Sequence, residues 1–129
     1  MFKFKNLIIK GSRGVEVYKW GNFRYKFIIT IKNKDTNNEI RFAFFDSVNN
    51  YYKNKTRLDK EGLKAAFECF LLDCQAAFLD YEDFINEFGY TNNKEAKKVY
   101  QACQLQLERA RKLGLDEDLI IDYINSLNQ

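Results

Sequence analysis

Apolar and polar residues alternate with period two through the first third of the chain. Between residues 23 and 32, Phe23, Tyr25, Phe27, Ile29 and Ile31 are aromatic or branched, and Arg24, Lys26, Thr30 and Lys32 fall between them. Successive strand residues face opposite ways, so this pattern predicts a strand with one core face and one wet face. Residues 33–38 are rich in turn formers, and Ile40, Phe42 and Phe44 then resume the alternation, which predicts a hairpin. An earlier strand over residues 2–10 and a shorter one over 15–20 complete a three- to four-stranded antiparallel sheet. Gly11-Ser12-Arg13-Gly14 reads as the turn between them, and residues 46–56 as a polar loop.

Near Asp59 the period changes to three and four. Leu63, Phe67, Phe70, Leu71, Cys74, Ala77 and Phe78 form one apolar stripe over about five helical turns. Asp80, with Asp83 three residues on, has the spacing of an N-cap and its reciprocal partner. Phe84, Ile85 and Phe88 then anchor a short helix that Gly89 ends. Thr91-Asn92-Asn93 opens a long helix with Ala96, Val99, Tyr100, Cys103, Leu107 and Ala110 inward, and Gly114 stops it. A last helix starts at Asp116 and buries Leu119, Ile120, Tyr123, Ile124 and Leu127. A sheet followed by about four helices is an α+β pattern, with the helices expected on one sheet face. No proline, repeat or flexible linker divides the 129 residues, so a single domain over 1–129 is expected.

Composition narrows the chemistry. The chain contains no histidine, which excludes Ser-His-Asp and Cys-His triads, histidine general bases and histidine zinc sites. Cys69, Cys74 and Cys103 are an odd set inside predicted helices. Cys69 and Cys74 diverge by about 140° around a helix and make a poor metal pair. Reduced thiols, a cytoplasmic location and no membrane span or secretory leader are expected. Gly11-Ser12-Arg13-Gly14 matches neither a P-loop nor a dinucleotide fingerprint. Asp116, Glu117, Asp118 and Asp122 lack the ligand spacing of a calcium loop and suit a helix N-terminus. No cofactor, metal or catalytic residue is predicted, and the protein is not expected to be an enzyme.

Charge is strongly segregated. Residues 1–57 carry 13 basic and 4 acidic side chains and residues 58–129 carry 8 and 14, so a +9 segment and a −6 segment make up the net +3. Arg24, Lys26 and Lys32 should project from the wet face of one strand and Arg41 from its neighbour, with Lys3 and Lys5 beside them. With Tyr18, Trp20, Tyr51 and Tyr52 near the strand ends, this pattern suits phosphate contact and base stacking. Lysines on an open sheet also serve solubility and oppose edge aggregation. Asp80, Glu82, Asp83 and Glu87 crowd a short helix, where the helix dipole alone favours them or a basic cleft of a nucleic-acid enzyme is their partner.

The run from Asp80 to Cys103, preceded by Phe42–Ser47, resembles small proteins carried by phages and prophages of low-GC Gram-positive bacteria. Phe84, Glu87, Phe88, Gly89, Tyr90, Ala96, Tyr100 and Cys103 carry the resemblance. Thr91-Asn92-Asn93 stands where those proteins have an acidic, serine-containing turn, and Ile85 where a cysteine is common. The resemblance implies a mobile-element accessory protein, and proteins of this kind and size include inhibitors of CRISPR effectors. The expected function is therefore anti-defence: direct binding to a host defence protein or ribonucleoprotein complex, without catalysis. A nucleic-acid-binding accessory role in phage replication or recombination is the alternative. The candidate partner-binding residues are Arg24, Lys26, Lys32, Arg41, Asp80, Glu82, Asp83 and Glu87.

Overall fold

The structure is a computed structural model, and it describes residues 1–19, 21–46 and 57–129. The expected loop beyond Asp46 and the expected aromatics Trp20, Tyr51 and Tyr52 lie outside the described residues. The chain divides into two compact units, Met1–Phe67 and Glu68–Gln129. Strands β1 (Phe2–Phe4), β2 (Leu7–Gly11), β3 (Val15–Lys19), β4 (Asn22–Asn33) and β5 (Glu39–Asp46) precede helices α1 (Lys60–Ala76), α2 (Tyr81–Phe88), α3 (Asn93–Lys112) and α4 (Glu117–Leu127). This is an α+β fold, with five antiparallel strands where three or four were expected.

The additional strand comes from the first segment, which is a hairpin. Phe4 pairs with Leu7, so Lys5 and Asn6 alone make the turn. Lys5 has a φ of 54°, a left-handed conformation that lysine seldom adopts and that no glycine announces. Asn6 stabilises the turn from outside, since its side chain donates to Asn33 Oδ1 and Asp35 Oδ2 and its carbonyl accepts the Lys34 N–H at 2.9 Å. The buried Asn33 is satisfied in the same cluster, because its side-chain oxygen also accepts the Asp35 N–H.

The twelve-residue β4 is the axis of the sheet. One edge pairs with β5; the other pairs with β2 along its C-terminal half and with β3 along its N-terminal half. Gly11 faces Ile29 and Val15 faces Lys26, so Ser12, Arg13 and Gly14 oppose only two β4 residues. The extra residue is a β-bulge. Ser12 repairs the ladder there: its N–H donates to the Ile28 carbonyl and its Oγ accepts the Ile28 N–H at 2.8 Å. Gly11–Gly14 is therefore a break within one strand path and not a reversal.

Residues opposite one another share a face. Phe2, Leu7, Ile9, Phe27, Ile29, Ile31, Ile40 and Phe42 share the inner face and are all buried. From α1, the Phe67 ring packs on Phe2 and Phe4 at 6.3 and 5.5 Å, and a Cβ at Gly11 would meet Leu63 at 3.0 Å.

In the second unit, Asp80 caps α2 by accepting the Asp83 N–H, and Gly89 ends it at a φ of 67°. Asn92 caps α3 and Asp116 caps α4. Phe84 is the centre of an aromatic cluster, with the Phe88, Tyr90 and Tyr100 rings 5.0 to 5.5 Å away. Tyr100 ties α3 to the segment before α2 by donating its hydroxyl to the Leu79 carbonyl at 2.7 Å. Phe88 departs from its expected anchoring role, being 53% exposed. With Phe84 taking the inward position, Phe88 lies four residues on, at the rim. Among the described residues no helix is long and apolar enough to cross a membrane.

Candidate functional site

The pairing register collects the basic candidates of the first unit onto one surface. Thr30 sits opposite Arg41 and Lys10, Lys32 opposite Glu39 and Ile8, Lys26 opposite Phe45 and Val15, and Arg24 opposite Val17. Lys3 joins them through its pairing with Ile8. All of these residues share the outer face of the sheet. Arg24 and Lys26 are half-buried, whereas Lys3, Lys10, Lys32 and Arg41 are exposed.

Two patterns run across this face. Cations concentrate at the end where Lys3, Lys10, Lys32 and Arg41 span β1, β2, β4 and β5, a distance of about 14 Å at the usual strand spacing. A shallow depression of about 100 Å³ lies there, lined by Ile8, Lys10, Thr30, Lys32 and Glu39. Beyond it lies an apolar middle with Ile28, Ala43 and Val15, where Ile28 is 38% and Val15 62% exposed. Glu39 lies 3.6 Å from Arg41 in a solvated pair, and such a pair holds the guanidinium with less than about 1 kcal/mol. Arg41 is thus available to a partner. Lys5 is placed differently, in the β1–β2 turn, where its ammonium sits 6.0 Å from the centre of the Phe4 ring.

The expected stacking partner Tyr18 is not on this surface. Glu16 pairs with Tyr25, so Tyr18, two residues on, shares the face of Tyr25 and Phe27. Arg24 and Lys26 point the other way. Lys10 is the cation the sequence reading passed over, although the alternation of Leu7 and Ile9 with Ile8 and Lys10 marks it as outward.

No family model, curated protein or solved structure matches this chain.

The acidic candidates all lie in the second unit on or beside α2. Asp80 is occupied as the N-cap, with its Oδ1 2.8 Å from the Asp83 nitrogen. Glu82 and Asp83 stand in the first helical turn, where the helix dipole favours them, and both are exposed. Glu87 is in the last turn, where the same dipole opposes a carboxylate. It lines a cleft with Leu72, Gln75, Ala76, Leu79 and Phe88.

The thiols differ in their surroundings. Cys69 is exposed, and Cys74 and Cys103 are buried. Burial, reinforced by the neighbouring Asp73 carboxylate, pushes Cys74 up to about 12 and Cys103 up to about 11. Thiols in that range are overwhelmingly protonated at neutral pH and are poor nucleophiles or ligands. Among the described residues no group of three or more Cys, Asp or Glu is arranged to hold a metal ion.

Proposed function

We propose that this protein is a mobile-element anti-defence protein that binds a host nucleic-acid effector in the bacterial cytoplasm and blocks it sterically. The observation that carries the reading is the open outer sheet face, where Lys3, Lys10, Lys32 and Arg41 stand over adjacent strands beside an apolar middle. Such a face offers a ribonucleoprotein cations for its phosphates or carboxylates, and apolar area to displace water. A blocking protein needs complementarity and no reacting group. The resemblance of residues 80–103 to small phage proteins points the same way.

Expression in a bacterium with an active CRISPR effector tests this reading. The protein should restore plating of a targeted phage and co-purify with the effector. Lys10→Glu with Lys32→Glu should abolish both, since these exposed positions do not support the core. If the wild-type protein captures no effector and leaves targeting intact, the anti-defence reading is wrong.

The span of the cations across four strands also favours a second reading, a nucleic-acid-binding accessory protein of replication or recombination. Titration with single- and double-stranded DNA and RNA distinguishes it. Phosphate contact by these lysines requires affinity that falls steeply with salt, and Lys10→Glu should reduce the salt slope by about one.

A further inference from the structure

The cleft beside α2 has a definite shape and charge. It measures about 580 Å³ and lies where the last turns of α1 and the segment after them meet the end of α2. Leu72 is 43% and Phe88 53% exposed at its walls. Phe88 is held in place from behind, because its ring packs at 5.0 Å on the buried Phe84. The apolar surface is thus formed before any partner arrives, and covering it removes apolar area from water, which favours association.

Its electrostatics are one-sided. Residues 65–93 contain no lysine or arginine, yet they include Glu68, Asp73, Asp80, Glu82, Asp83 and Glu87. Asp83 and Glu87 are four apart and share one side of α2. Neither α1 nor α2 has a basic residue in its last turn. Both helices end at this cleft, so their C-terminal partial charges add to the Glu87 carboxylate.

We infer that this cleft receives a cationic amphipathic helix of a partner protein. A large apolar side chain of that helix sits against Phe88 and Leu72, and flanking lysines or arginines face Glu87 and Asp83. Helices α3 and α4 of a second copy offer poor occupants. The basic helix α3 already buries Ala96, Cys103, Leu107 and Ala110, and α4 opens with Glu117 and Asp118. The inference concerns residues of the second unit alone and does not depend on the role of the sheet face.

The test uses the full chain and two labelled helical peptides of about 18 residues with the same leucine stripe, one flanked by lysines and one by glutamates. Anisotropy titration should show the lysine peptide bound at least about tenfold more tightly than the glutamate peptide. Phe88→Ala and Leu72→Ser should each weaken it about tenfold. Asp83→Lys with Glu87→Lys should reverse the preference, and Glu117→Lys with Asp118→Lys should leave it unchanged. Circular dichroism of each variant confirms its fold, and two exposed apolar positions guard against the loss of one variant. Equal binding of the two peptides, indifference to Phe88 and Leu72, or equal weakening by the α4 control would overturn the inference. Self-association that Phe88→Ala abolishes would do so as well, by making a second copy the occupant.

Discussion

Asp73 is a half-buried carboxylate on α1, next to Cys74. Burial lifts its carboxyl from 3.8 to about 6. Between about pH 4 and pH 6 the folded chain holds a proton that the unfolded chain has released, so stability falls as pH rises through that window and is level above it. The full shift corresponds to about 3 kcal/mol, and solvent reaching this half-buried group reduces that to about 1–2 kcal/mol. Asp73→Asn should therefore raise stability in urea at pH 7.5 and change little at pH 4; an equal effect at both would show that burial of the charge is not the cause. The thiols give a second check at this scale. Exposed Cys69 should react with a disulfide reagent in a fast phase at pH 8, while Cys74 and Cys103 react only on unfolding. Cys69→Ser should remove the fast phase, and peptide mass mapping identifies the labelled residue.

Element by element, α2 shows how capping and binding candidates overlap. Asp80 was a candidate for partner contact, yet its side chain is engaged with the Asp83 N–H. Asp80→Ala should cost about 1 kcal/mol, and Asp80→Asn, which keeps an acceptor, should cost far less; if both lose equally, charge rather than capping is what matters there. Caps of this kind were legible because they are written in adjacent residues: Asp80, Gly89, Asn92 and Asp116 all stand where the sequence placed helix ends. The β4–β5 hairpin was legible for a similar reason, the alternation being long and the turn polar. What escaped were features set by tertiary contact. Lys5 turns the chain because Asn6 is held by Asn33 and Asp35, and those partners lie some thirty residues away. The bulge at Ser12 exists only relative to Ile28. Phe88 fits an apolar stripe by spacing, but one turn of helix cannot say whether Phe84 leaves room for it. The basic surface was legible as a set of outward strand positions, whereas the cleft, built from α1 and α2 together, was not.

At the scale of the whole chain, a net charge of +3 conceals a +9 segment and a −6 segment. A charged surface responds to the local field within about a Debye length, about 10 Å at 0.1 M salt, and hardly to charges beyond it. Lys3, Lys10, Lys32 and Arg41 lie within about that distance of their neighbours on one sheet face, and only Glu39 opposes them among the residues paired there. Their combined field should therefore dominate adsorption. On a cation exchanger at pH 8 the protein should elute later than its net charge implies. Lys10→Glu with Lys32→Glu should advance elution much more than Lys97→Glu with Lys98→Glu, although both pairs change net charge equally and all four positions are exposed. Equal advance would mean that net charge alone governs adsorption, and the sheet face would then lose its standing as a distinct cationic surface. Unequal advance would establish that surface without reference to any partner, and it would identify the residues to reverse first in a search for one.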